Sequence, residues 1–129
     1  MKKNVSIYVM GGYNYNEKHG YYKAVLVYKN RYKTIQKEYG NETIDNKQIT
    51  VNRAMLYGII DSMKSLKGSC NVNVFTLVPL GFKDSSKCVN SDLIDRILKI
   101  AESNNHDFKI TWGNAEKVRK FIESRMLDI

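Results

Sequence analysis

Residues 50–68, TVNRAMLYGIIDSMKSLKG, change the period of the chain and thereby decide its architecture. Leu56, Ile59, Ile60, Met63 and Leu66 recur at the three-and-four spacing of one helix face. Thr50 is a good N-cap residue and Gly68 a good stop, so a helix is expected between them. Before Thr50 the period is two. Val5-Ser6-Ile7-Tyr8-Val9-Met10 alternates as a strand and ends in Gly11-Gly12. A loop rich in Asn and Tyr, Tyr13 to His19, leads to a second strand, Tyr21 to Tyr28. Lys29-Asn30-Arg31 makes a turn, and a third strand runs from Tyr32 to Tyr39. Gly40-Asn41 closes this meander, and a polar loop leads to Thr50.

After Gly68 strands and helices alternate. Val72 to Val78 reads as a fourth strand halted at Pro79. Ser91-Asp92 opens a helix with Ile94, Ile97, Leu98 and Ala101 on one face, and Asp92 and Asp95 in its first turn suit the helix dipole. Phe108 to Trp112 is a fifth strand, and Val118, Phe121, Ile122 and Met126 stripe a closing helix. A meander pairs antiparallel, whereas strand–helix–strand crossovers pair parallel. The expectation is an α/β fold: a mixed five-stranded sheet flanked by about three helices, in a single domain over residues 1–129.

With 129 residues the chain can bury a core without staples. An apolar content of 43% and a single proline exclude a disordered chain. The net charge of +8 points to an anionic partner, most often nucleic acid. The alternative is a basic protein kept soluble by its charge. Cys70 and Cys88 lack metal or disulfide spacing and read as reduced thiols. Met1-Lys2-Lys3-Asn4 leads straight into a short strand, too short for a signal-peptide core, and nothing approaches the roughly 18 apolar residues of a membrane span. The expected location is the cytoplasm of a cell or infected host, without a membrane partner. Heavy use of Lys, Asn, Ile and Tyr suits an AT-rich genome, as in low-GC bacteria, their phages or some viruses.

The order of elements and several local motifs resemble the ribonuclease H family. Ile7-Tyr8-Val9-Met10-Gly11-Gly12 is similar to the family's first-strand motif I-Y-T-D-G-S, and Tyr22-Lys23-Ala24-Val25-Leu26 to its second strand, G-x-G-A-I-L. Thr50-Val51-Asn52-Arg53-Ala54-Met55-Leu56 resembles T-N-N-R-A/M-E-L at the start of the long helix. Thr76-Leu77-Val78 falls where the family has T-D-S. Trp112-Gly113 and Glu116-Lys117-Val118-Arg119 resemble the last strand and last helix.

The departures are as systematic as the matches. The four carboxylates that the family uses to hold its catalytic metals correspond to Met10, Met55, Leu77 and Arg119. The family's histidine-bearing loop also looks deleted, because Trp112-Gly113-Asn114 runs almost directly into the last helix. The basic handle of some bacterial members is absent. The family's chemistry uses two Mg²⁺ ions about 4 Å apart, and Mg²⁺ requires oxygen ligands. A thioether is soft and neutral, leucine has no ligand atom, and a guanidinium repels the metal. The expectation is therefore no catalytic residue, no metal, no cofactor and no enzymatic activity. Asp61 lies about two turns beyond Met55 and cannot replace it. Glu116 is a single carboxylate. His19 and His106 read as solvated loop residues without a ligand motif.

Binding residues are candidates in two places. In the family, the start of the long helix contributes to a pocket for a backbone phosphate, and Thr50, Asn52 and Arg53 match those positions. A helix N-terminus with a hydroxyl and cations is an anion site in its own right, although Thr50 also caps the helix without any ligand. Arg119 is a candidate phosphate ligand in place of a metal, or else a solvated residue among Lys117, Lys120 and Arg125. The meander supplies the second cluster: Lys23, Lys29, Arg31, Lys33 and Lys37, interleaved with Tyr21, Tyr22, Tyr28 and Tyr32. Such a pattern tracks phosphates and stacks bases, yet lysines also protect an edge strand. Two functions compete: a catalytically inactive ribonuclease H-like protein that binds duplex or RNA/DNA hybrid through backbone phosphates, and a protein-interaction module of a phage, plasmid or virus that blocks or recruits a nucleic-acid enzyme. An enzyme working with non-standard residues is the third.

Overall fold

Alternation along β1 (Lys3–Asn14) sends Val5, Ile7 and Val9 to one side of the sheet, and Tyr8 and Met10 to the other. In this computed structural model, which describes residues 2–16, 19–40, 43–82 and 89–126, both sides are covered by helices. β1 pairs antiparallel with β2 (His19–Tyr28), from Ser6 opposite Val27 to Asn14 opposite His19. β2 pairs antiparallel with β3 (Arg31–Glu38). A two-stranded hairpin follows, β4 (Thr43–Ile44) and β5 (Lys47–Gln48), and then α1 (Val51–Lys64). β6 (Cys70–Thr76) lies parallel to β1. After α2 (Ser91–Ser103), β7 (Asp107–Trp112) lies parallel to β6, and α3 (Ala115–Met126) ends the described chain.

The main sheet has the order β3-β2-β1-β6-β7, the mixed five-stranded arrangement expected from the sequence. α1 and α2 bury Ala54, Leu56, Ile59, Ile60, Leu93, Ile94 and Ile97 against Val5, Ile7, Val9, Val72 and Val74. On the opposite side α3 buries Val118, Ile122 and Met126 against Met10 and Val25. Among the described residues, no helix is long and apolar enough to cross a membrane.

Three details differ from the sequence reading, each for a local reason. β1 continues through Gly11-Gly12 to Asn14 because glycine here permits close approach of α1. A Cβ on Gly11 would lie 2.5 Å from Met55 Cγ and 3.1 Å from the Val51 carbonyl oxygen. β6 stops at Thr76, whose hydroxyl donates to the Val78 carbonyl at 2.6 Å, so Leu77 lies beyond the strand. The polar loop before Thr50 contains a hairpin turning at Asp45 and Asn46, whose φ values of 55° and 62° are those of a two-residue left-handed turn. Cys88 lies outside the described residues, whereas Cys70 is buried and free.

Candidate nucleic-acid interface

The carboxyl ends of β1 and β6 bring Met10 and Leu77 close to Met55 of α1, and Val118, the neighbour of Arg119, packs against Met10 from α3. Met10 is 6% exposed and packs with Val25, Val118, Ile122 and Met126. Met55, 1% exposed, belongs to the opposite core and reaches Gly11, the neighbour of Met10. Leu77 is half-buried and touches both cores. Arg119 follows Val118 on α3 and is exposed. These four side chains do not fit a pair of magnesium ions: two buried thioethers and an isobutyl group offer no hard oxygen, and the fourth is a cation. Among the described residues, no three of His, Cys, Asp and Glu gather as a metal site would require.

At the start of α1 the three matched residues separate. Thr50 is the N-cap, its hydroxyl oxygen accepting from the Arg53 amide at 3.2 Å, and both Thr50 and Asn52 are exposed. Arg53 turns inward and is 1% exposed. Its Nη1 and Nη2 donate to Asp92 Oδ1 and Oδ2 at 3.0 and 2.7 Å, and Nη1 also donates to Asn90 Oδ1 at 3.2 Å. The expected phosphate-facing role of Arg53 is thereby corrected, since its fork is occupied by a carboxylate within the protein. The guanidinium holds the Asp92 carboxyl well below the usual carboxylate range. Its other side meets Tyr57, whose hydroxyl donates to Asp45 Oδ2 at 2.5 Å, while Arg96 donates to the same oxygen at 3.2 Å. Hydrogen bonding to Tyr57 lowers the Asp45 carboxyl, and burial raises the Tyr57 hydroxyl. The network ties α1, α2 and the β4–β5 hairpin together.

The meander cations do not form one stripe. Lys23 stands directly opposite Met10 in the β1–β2 register and so faces the α3 side. Lys37 pairs with Tyr22, itself opposite Gly11, and so lies at the same sheet end but on the α1 side. Lys29, Arg31 and Lys33 sit at or next to the β2–β3 turn, at the far end of the sheet, where Lys33 borders a cleft with Lys3 and Lys67. The interleaved tyrosines also divide. Tyr22 is buried and donates to Asp61 Oδ2 at 2.6 Å, and burial followed by that bond raises its hydroxyl far above the ordinary tyrosine value. Tyr22, Tyr39 and Tyr57 form a tilted row within the core, with centroids 6.3 and 5.7 Å apart. Tyr32 is exposed and Tyr21 and Tyr28 are half-buried, with Arg125, Lys23 and Lys29 respectively over their rings.

Neither histidine is a solvated loop residue. His19 begins β2, half-buried, with Nε2 3.3 Å from Glu38 Oε2 across the sheet. His106 is buried before β7; its Nδ1 accepts the Cys70 amide at 3.0 Å, and burial lowers its basicity. The sequence reading also passed over an aromatic group on the α3 side. Tyr8 stacks on Phe75 at 4.9 Å and meets Phe121 at 4.3 Å, and these rings line a cavity of about 230 Å³ with the β7–α3 connection. The spacing of Tyr8 two residues before Met10 was its only sequence signal.

No family model matches the chain. Among individual proteins, the ribonuclease HI of Campylobacter jejuni is 33% identical over 126 residues, covering 88% of this chain and 80% of the relative. The ribonuclease H of Wolbachia sp. subsp. Drosophila simulans is 35% identical over 75 residues, 58% of this chain, and this match spans 47% of that relative's length. An N-terminal RNase H domain from Mycobacterium tuberculosis, solved as a fusion with maltose-binding protein, superposes with a TM-score of 0.65 over 90% of this chain and 91% of that one. At 16% identity this last likeness shows a shared fold. The chain belongs to the ribonuclease H family. That membership corrects the expectation of a protein without enzymatic activity, because the relatives carry the name of an enzyme and substitutions at four positions do not remove a chain from an enzyme family.

Proposed function

We propose that this ribonuclease H family chain holds duplex or hybrid nucleic acid by its backbone phosphates, at the sheet end formed by the N-terminus of α1, β1, β2 and α3. The observation that carries the reading is the pairing of Lys23 with Met10, beneath the α3 turn that presents Arg119. Where the family's motif would put carboxylates and metal, this end offers fixed cations around an apolar floor. Thr50 and Asn52 are exposed beside it, and the first turn of α1 contains no acidic residue to oppose an anion. Lys37 flanks the same end on the α1 side. Arg53 orders the helix from within.

Phosphate contacts of this kind read no sequence and weaken steeply with salt. The test is a fluorescence-anisotropy series with single strands, DNA duplex and RNA/DNA hybrid at several salt concentrations. Binding at low salt with a negative slope of log affinity against log salt supports the reading. Absence of binding at low salt overturns it in favour of a protein partner. Incubation of hybrid with Mg²⁺ or Mn²⁺ in the same series measures hydrolysis directly.

A further inference from the structure

The cavity beside α3 has the attributes of a stacking site. Tyr8 from β1, Phe75 from β6 and Phe121 from α3 make its floor and wall, with Tyr8 and Phe75 nearly parallel at an interplanar angle of 16°. None of the three rings is fully buried, so part of each meets the cavity. At about 230 Å³ the space falls below the roughly 300 Å³ at which pockets for extended ligands begin, and it suits one flat ring system. It is open because α3 leans toward β1 and β2 and leaves β7 uncovered: Asp107, Lys109 and Thr111, which alternate onto this side, are exposed. The connection from β7 to α3 is only Gly113 and Asn114, both at positive φ (106° and 49°), too short to fold over the mouth.

The charge around the mouth selects the occupant. Lys117 lines the cavity and is exposed, and Lys109 is exposed on β7 two residues before Thr111, which also lines it. Two carboxylates on these elements are each ion-paired with a lysine, Asp107 with Lys2 at 3.0 Å and Glu116 with Lys120 at 3.1 Å. Aromatic faces set between cations favour a flat π-system attached to an anion, which is the chemistry of a nucleotide in a strand. We infer that this cavity receives one unpaired base of a bound nucleic-acid strand, stacked against the Tyr8–Phe75–Phe121 group, with its phosphates on Lys109 and Lys117. The inference rests on the proposed nucleic-acid binding and adds a base contact on the α3 side of the sheet.

Trp112, the single tryptophan of the chain, is 43% exposed and lies among the residues lining the cavity, so its emission reports occupancy. The experiment titrates the whole protein at low salt with two strands of equal length and phosphate count, one of deoxyadenosine and one wholly abasic. The expected result is about tenfold tighter binding of the base-bearing strand, with a change in Trp112 emission that the abasic strand does not produce. Phe121→Leu, which keeps most of the volume and removes a ring, should erase the difference and leave abasic binding unchanged. If that variant does not fold, the wild-type contrast between the two strands decides alone. Equal affinities with unchanged Trp112 emission overturn the base site while leaving phosphate binding intact. Failure of both strands to bind overturns both.

Discussion

Arg53 of α1 and Asp92 of α2 are joined by two parallel hydrogen bonds of 3.0 and 2.7 Å, so the residue that most resembled a phosphate ligand in sequence is an internal tie between helices. Breaking a buried pair leaves an uncompensated charge, which costs about 3–5 kcal/mol. Asp92 remains 38% exposed, so Arg53→Met should cost about 3 kcal/mol, the lower end of that range, measured by urea unfolding. Asp92→Asn should cost less, because Arg53 keeps Asn90 and Tyr57 as acceptors. The double variant should be less destabilised than the sum of the two.

The same pair fixes part of the pH response. Asp92 is depressed in the folded state, so the unfolded chain takes its proton first as pH falls. Its contribution is complete above the unfolded value of about 4 and is lost below it. His106 is also depressed, so the unfolded chain protonates it first below about pH 6.5, and stability declines from there. Unfolding free energy followed from pH 8 to pH 3 should therefore fall in two stages. His106→Gln should abolish the upper stage, and its persistence in that variant would contradict the assignment.

Gly11 allows α1 to lie close against β1. Gly11→Ala would place a methyl group 2.5 Å from Met55 Cγ and 3.1 Å from a backbone oxygen that cannot retreat easily. The expected loss is about 1–3 kcal/mol, as for other overpacked sites. Thermal unfolding checks it, and Met55→Ala in the same chain should recover only part, because Val51 remains.

These consequences separate what the sequence made legible from what it did not. Strict alternation in Val5 to Met10 and the 3.6 period of Leu56, Ile59, Ile60 and Met63 report burial directly, so the mixed five-stranded sheet and its helices followed from them. The hairpin at Asp45-Asn46 has two residues per strand, too few to show a period. The fate of Arg53 depended on Asp92, 39 residues away, and charge carries no sign of its partner along the chain. Tyr22 was read as a stacking surface for the same reason, its acceptor Asp61 being 39 residues distant. The resemblance located the substituted positions, and the register β1–β2 then showed which cation, Lys23, stands opposite Met10.

Magnesium should not assist nucleic-acid binding at this sheet end, because the four positions supply one cation and three apolar side chains in place of hard oxygen ligands. Raising Mg²⁺ at constant ionic strength should leave affinity for a hybrid unchanged or lower it. A clear gain in affinity with metal would contradict this description of the site.

The central claim is phosphate binding at the end of the sheet that holds Met10, Lys23 and Arg119. It is tested most directly by the salt slope for a DNA duplex and an RNA/DNA hybrid, measured on the wild type and on Lys23→Gln and Arg119→Gln. Each contacted phosphate contributes about 0.9 to the slope for a duplex. Each variant should weaken binding evenly across sequences and lower the slope by about one, while Lys29→Gln, at the far end, should leave both unchanged. Unaltered affinity and slope in both Lys23→Gln and Arg119→Gln would contradict it.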